Sequence, residues 1–275
     1  MTESIKIISF NLRADFKHDK ANRWDFRKEF ATRLIRESGA TIIGVQELLP
    51  KMRQDVQRLL KNYTVLGWGR YNGTREKGDE HSDIIIKNAD ADVDFYRTFW
   101  LSKKNEDEVS RAYYSFFPRI CTVAEVYVKS LNRTIRVFNT HFDHICGMAR
   151  VLGVNIILRT MSELSREKPM PTILMGDMNA KPNSKPIRIL RENRHSYDNV
   201  HLNDVYAHCK DQIKNTHHGF HSQGLLSRLI DRAPIDYIFV SDEFTILDAY
   251  VDRTNENGRF PSDHFPIVAT LALNS

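Results

Sequence analysis

The chain has 275 residues, 41% of them hydrophobic, enough to bury a large core, which excludes intrinsic disorder. Its 40 basic and 35 acidic residues leave a net charge of +5, an excess that admits polyanionic partners without requiring one. The three cysteines, Cys121, Cys146 and Cys209, are odd in number and widely spaced, which argues against a disulfide scaffold or a zinc knuckle. No run approaches the ~20 apolar residues of a membrane span, and the polar start enters a strand pattern directly. The expectations are a cytoplasmic monomer with no stable membrane association.

In chain order, Ile5–Asn11 reads as a strand with Ile8, Phe10 and Leu12 on one face and Asn11 on the other. Asn22, followed by Asp25, predicts the cap of a helix carrying Phe30, Leu34 and Ile35, and Gly39 stops it. Thr41–Val45 is an apolar strand that delivers Gln46 and Glu47, and Pro50 opens a helix with Met52, Val56, Leu59 and Leu60 at helical spacing. Further strands are expected at Tyr63–Trp68, Asp83–Lys87, Phe95–Leu101, Ile120–Val128 and Thr134–His141. A long helix follows at Ala149–Glu167, then a strand at Pro171–Met175 ending in Gly176 and Asp177, and a short helix at Pro186–Glu192. Ile235–Val240, Ile246–Val251 and Ile267–Leu273 complete the strands.

No Pro/Gly/Ser-rich linker divides the sequence, so residues 1–275 are expected to form a single domain. Long apolar strands interleaved with amphipathic helices predict an α/β fold, a four-layer α/β/β/α sandwich of two mixed sheets packed face to face with helices outside.

Polar residues gather at one kind of place, the C-terminal end of an apolar strand: Asn11, Glu47, His141, and Asp177 with Asn179. That is where open α/β sheets collect ligands. Asp236 begins a strand, and Asp263-His264 precedes one. Taken singly, each has a bland alternative: a turn residue for Asn11, a first-turn helix acid for Glu47, a core histidine for His141, ordinary turns for Asp177 and Asp263.

Together, and in this chain order, Asn11, Glu47, His141, Asp177-x-Asn179, Asp236 and Asp263-His264 resemble the signature of the endonuclease/exonuclease/phosphatase superfamily. The resemblance extends to a bacterial branch through Phe99-Trp100-Leu101-Ser102, Pro118-Arg119, Asn139-Thr140-His141-Phe142-Asp143-His144, His218-Gly219-Phe220 and Ser262-Asp263-His264-Phe265-Pro266. DNA-repair nucleases of the superfamily carry a tyrosine where His141 falls and often an acid where this chain has Arg13. Both departures point towards the branch of sphingomyelinases, deadenylases and similar diesterases. His217 replaces the usual aromatic before His218, which puts the pocket lining in question.

The resemblance implies a phosphoesterase dependent on Mg²⁺, or on Mn²⁺ in its place. Phosphate-ester hydrolysis needs a cation on the anionic oxygens and a pre-positioned water, and hard oxygen donors suit these ions. Glu47 is the first expected metal ligand, with Asn11 and Asp263 as further contacts. Asp177 is expected to activate the water, Asn179 to hold it, His264 paired with Asp236 to face the phosphate, and His141 to face the leaving oxygen. Arg119 and His218 are expected substrate contacts. A nucleic acid or nucleotide-like substrate is slightly favoured by the charge and by Tyr71, Tyr113 and Tyr114. Lys181, Lys185, Arg188 and Arg191 read first as a solvated helix face and second as a phosphate path. The alternatives are a catalytically silent binding or scaffold protein of the same fold, and a phosphatase for sugar or lipid head-group phosphates.

Overall fold

The computed structural model describes residues 3–75, 77–104, 107–192, 197–209, 215–220 and 233–274. The first sheet is built from β1 (Ser4–Asn11), β2 (Ile42–Gln46), β3 (Tyr63–Leu66), β4 (Ile84–Lys87), β11 (Phe244–Val251) and β12 (Ile267–Leu273), in the order β11-β12-β1-β2-β4-β3. The second holds β5 (Ala91–Trp100), β6 (Ile120–Val128), β7 (Arg133–His141), β8 (Thr172–Asp177), β9 (Asn203–Asp204) and β10 (Asp236–Val240), in the order β5-β6-β7-β8-β10-β9. Each sheet is mixed, with one parallel pair at its centre: β1 with β2 and β7 with β8.

Three apolar clusters define the layers. Ile5, Ile7, Ile42, Ile84 and Ile86 of the first sheet pack against Val126, Ile135, Val137, Ile173 and Ile238 of the second. The opposite face of the first sheet, with Ile8, Phe10 and Val45, is covered by α1 (Trp24–Glu37) and α2 (Pro50–Leu59) through Leu34, Ile35, Met52 and Val56. The outer face of the second, with Phe138, Leu174 and Phe239, is covered by α3 (Gly147–Glu167) and α4 (Lys185–Glu192) through Ile157, Met161, Ile187 and Leu190. The period-2 alternation of the strands puts one face on each side, so the expected α/β/β/α sandwich is the fold observed.

Several boundaries differ from expectation for local reasons. The cap of α1 comes from Asp15, whose Oδ1 accepts the Trp24 N–H at 3.0 Å, rather than from Asn22. β3 ends at Leu66 because Gly67 has φ +140 and Trp68 turns outward, 52% exposed. β5 starts four residues early, at Ala91; it is the edge of its sheet, bulged between Val93 and Phe95, and its polar Asp92 and Asp94 conceal the strand. Among the described residues no helix is long and apolar enough to cross a membrane.

Candidate active site

Register brings the polar strand ends into line. In the second sheet Asp177 lies opposite His141 on one side and Asp236 on the other, and in the first sheet Asn11 lies opposite Gln46, one residue before Glu47. The two sheets are fixed against each other at this end by Asn139, whose side-chain amide donates to the carbonyls of Val45 (2.9 Å) and Asp83 (2.8 Å) and accepts from Gln46 Nε2 (2.7 Å). Gly44 permits the close approach, since a β-carbon there would lie 2.5 Å from Met175 Sδ. Gly176 is equally constrained: with φ +148, its β-carbon would meet the Thr140 carbonyl oxygen at 2.0 Å.

The result is a cavity of about 980 Å³ whose wall includes Arg13, Glu47, Arg70, Glu80, Arg119, His141, His144, Asp177, Asn179, His217, Asp263 and His264. Asp177 is its focus. Oδ1 accepts the Asn179 N–H at 2.8 Å, and Oδ2 accepts from Asn11 Nδ2 at 3.0 Å. The same Oδ2 stands 3.6 Å from His141 Nε2 and 3.9 Å from His264 Nε2. Asn11 Nδ2 also donates to Glu47 Oε1 at 3.1 Å, while Asn11 Oδ1 accepts the Arg13 N–H at 2.9 Å. The amide therefore spaces two carboxylates from opposite sheets. Glu47 Oε2 accepts the Ala14 N–H at 2.9 Å, and its backbone has φ 59, as Asn179 has φ 45. Left-handed backbone at three non-glycine residues of one cavity, Arg13 with φ 54 being the third, is strain that the surrounding hydrogen bonds hold in place.

Electrostatics divide the ionisable groups. Burial, then the charge of Asp236, pushes the Asp177 carboxyl up to about 7. Burial would lower the His264 imidazolium, but Asp236, Asp263 and Asp177 override it and push it up to about 10. His264 Nδ1 meets Asp236 Oδ2 at 2.9 Å. His141 goes the other way: burial and the neighbouring Arg119 charge hold it well below the usual histidine value, so its ring is neutral. Burial would raise Asp263, yet its hydrogen bond with His217 and the charges of His264 and Arg13 keep it well below the ordinary carboxylate value.

The donor set fits a hard divalent cation. Glu47, His141 and Asp177 present ligand atoms that all lie within 4.8 Å of one another, a carboxylate pair with a neutral imidazole. Asp263 belongs to a different grouping, with His217 and His264, and its Oδ2 stands 3.5 Å from Arg13 Nε. Of the expected substrate contacts, Arg119 lines the cavity and reaches His144 Nδ1 through Nη2 at 3.0 Å. His218 does not line it: the ring is buried between Phe260 and Phe265, with centroids at 4.4 and 4.2 Å, and His217 occupies the wall instead. Lys181, Lys185, Arg188 and Arg191 are all off the cavity wall, and Arg191 is tied to Asp204 at 2.6 Å. Arg70, Lys77 and Glu80 line the cavity without having stood out in the sequence, and Arg13 and His144, noted there only as part of the family pattern, line it too; all five sit in loops, where no periodic pattern marks them.

The family model for the endonuclease/exonuclease/phosphatase family matches residues 8–264, a span that contains every one of these side chains. The chain belongs to the endonuclease/exonuclease/phosphatase family. Solved structures of similar fold match over nearly their whole lengths. An endonuclease/exonuclease/phosphatase family protein from Bacteroides thetaiotaomicron is 28% identical with a TM-score of 0.88, covering 100% of both chains. A mannosyl-6-phosphatase from the same organism is 28% identical with a TM-score of 0.85, covering 98% of this chain and 100% of its own. The human Nocturnin catalytic domain, at 15% identity and a TM-score of 0.73 over 100% of this chain and 96% of its own, shares the fold. No curated protein sequence matches the chain.

Proposed function

We propose that this endonuclease/exonuclease/phosphatase family hydrolase is a divalent-metal-dependent phosphoesterase that acts on a small phosphate ester. The observation that carries the proposal is the setting of Asp177: one buried carboxylate held by two hydrogen bonds, between a neutral and a cationic imidazole, beside a second carboxylate.

Of the groups that converge here Glu47 would hold the cation, with Asn11 tying it to Asp177 and Asp263 beside Arg13, which leaves His141 and Asp177 free for the phosphoryl group and the water. Mg²⁺ or Mn²⁺ bound there supplies a Lewis acid that neutralises charge on the phosphoryl group. Asp177, raised towards neutrality, orients a water in line with the scissile bond and takes its proton as the oxygen attacks phosphorus. Asn179, whose Nδ2 donates to the Phe142 carbonyl at 3.0 Å, keeps Oδ1 to accept from the water and a second Nδ2 hydrogen to donate to the phosphoryl group. His264 is cationic and cannot serve as the base; it meets the charge that develops on the equatorial oxygens, with Asp236 fixing its ring. His141 donates a hydrogen bond to the leaving oxygen as the P–O bond breaks, and the proton held by Asp177 returns to that oxygen through solvent.

A small ester is preferred to a polymer because the basic wall lies inside a cavity of about 980 Å³, the size class of small-molecule pockets, and the basic helix face at Lys185 and Arg188 is separate from it. The full-length similarity to a mannosyl-6-phosphatase supports the same choice. The test is hydrolysis of p-nitrophenyl phosphate and bis-p-nitrophenyl phosphate with Mg²⁺ or Mn²⁺ and after chelation, in wild type and in Asp177→Ala and His264→Ala. Each substitution is expected to cost about a hundredfold or more. Wild-type rates in both would refute the assignment, and a chain inert with every ester and metal would favour a silent scaffold.

A further inference from the structure

Glu80 is a carboxylate in the wall of a cavity that must accept a phosphate anion, where it repels the substrate unless another duty offsets the repulsion. Its loop is held firmly. Asp79 accepts the N–H groups of Tyr71 (2.6 Å) and Gly73 (2.9 Å), the Arg70 N–H donates to the Glu80 carbonyl (3.0 Å), and Trp100 Nε1 donates to the Arg70 carbonyl (2.8 Å). Glu80 Oε1 pairs with Arg70 Nη2 at 3.0 Å, and Oε2 has no partner among the described residues. The Arg70 guanidinium also donates from Nε to the Gly78 carbonyl at 2.7 Å and lies 4.3 Å over the Phe117 ring. On the same wall the Nε of Arg119, a residue only 7% exposed, lies 3.8 Å from Asp143 Oδ2 and makes no hydrogen bond among the described residues. Glu80 is absent from the groupings that bring metal-binding atoms within 4.8 Å among the described residues.

We infer that Glu80, Arg70 and Arg119 form a hydroxyl-recognition site, so that the alcohol released from the phosphate is a sugar or polyol; the inference rests on the phosphoester hydrolysis proposed at Asp177. A hydroxyl is donor and acceptor at once, and a buried carboxylate–guanidinium pair offers the complement: Glu80 Oε2 accepts the O–H while the arginines donate to the oxygen. Neighbouring hydroxyls on one ring meet both members of the pair without placing net charge against the neutral alcohol. The location agrees with the chemistry. Arg70, Glu80, Arg119 and His141 line one small recess of this wall, which places the pair beside the imidazole that faces the leaving oxygen. Phe117, 37% exposed on the same wall, offers apolar surface to the C–H face of a ring.

The decisive comparison is between mannose 6-phosphate and hexyl phosphate, which present a primary phosphomonoester with and without hydroxyls on the leaving group. Wild type with Mg²⁺ is expected to favour mannose 6-phosphate by about tenfold or more in kcat/KM, and Glu80→Gln to shrink that ratio by about tenfold, as loss of a hydrogen bond to a charged group does. A wild-type ratio near one overturns the inference by itself, whatever the stability of the variant, and leaves phosphoester hydrolysis standing. Equal loss on both substrates in Glu80→Gln also overturns it, assigning Glu80 to the metal or the chemical step. Failure to release phosphate from either ester or from p-nitrophenyl phosphate removes the hydrolytic proposal and this inference with it.

Discussion

Nδ1 of His264 lies 2.9 Å from Oδ2 of Asp236, both side chains buried, the aspartate opening β10 of the second sheet and the histidine standing just before β12 of the first. The pair carries a prediction in kinetics and another in stability. Replacing Asp236 with Asn removes the main charge that keeps His264 cationic against its burial. The expected result is a fall in kcat of about a hundredfold with little change in KM. Wild-type activity should not be limited by His264 deprotonation until pH approaches 10, whereas the Asp236→Asn profile should lose its alkaline limb several pH units earlier. The folded value lies above the unfolded one, so the stabilisation is fully present below about pH 6.5 and is lost as pH rises through about 10. Urea titrations of the two proteins from pH 6 to 10 read that difference directly.

Asn11 separates Glu47 from Asp177 by donating to both at 3.1 and 3.0 Å. Asn11→Asp converts a spacer into a third carboxylate with nothing to donate, and a loss of about tenfold to a hundredfold in kcat/KM is expected at neutral pH. Steady-state kinetics at fixed Mg²⁺ measure it; a rate within twofold of wild type would show that the amide has no part in holding the two acids.

The fold and the centre of the site were legible because both rest on strand periodicity. Ile8, Phe10 and Leu12 fix one face of β1, so Asn11 must emerge on the other, and the same arithmetic places Glu47, His141 and Asp177 at strand ends. What stayed hidden lies in irregular segments. Arg70 and Glu80 reach the cavity through a loop shaped by the Asp79 side chain, and Phe117 through a turn in which Ser115 Oγ donates to Asp143 at 2.7 Å. No local pattern announces such contacts. His217 and His218 show the limit most directly. Adjacent histidines face opposite ways, and only the pairing of His217 with His264 shows which one meets the cavity.

Gly176 offers a test of the sheet register. Gly176→Ala would drive a β-carbon into the Thr140 carbonyl, separating β7 from β8 beside His141 and Asp177. A stability loss of about 3 kcal/mol or more is expected, with activity falling further than the folded fraction. Chemical denaturation alongside kinetics separates the two; a neutral substitution would mean that the strands are paired differently.

His218 makes the chain acid-sensitive. Burial holds it at about 3, with neither ring nitrogen hydrogen-bonded among the described residues, so the neutral form is the one the fold accepts. Because the folded value is depressed, its contribution is intact above about pH 6.5 and is lost as pH falls towards 3, at about 1.4 kcal/mol per pH unit. His218→Phe, which keeps the packing against Phe260 and Phe265, should flatten stability between pH 6.5 and 4.5 by about 2 kcal/mol relative to wild type. Identical acid unfolding midpoints in the two proteins would contradict this.

The proposed hydrolysis requires a hard cation held by Glu47. Its most direct test is a Mg²⁺ titration of phosphate release by wild type and by Glu47→Gln, each stripped of metal beforehand. No activity is expected without metal, with saturable activation of wild type and a Mg²⁺ requirement raised by about tenfold or more in Glu47→Gln. Activity that survives chelation, or identical activation curves for the two proteins, would contradict it.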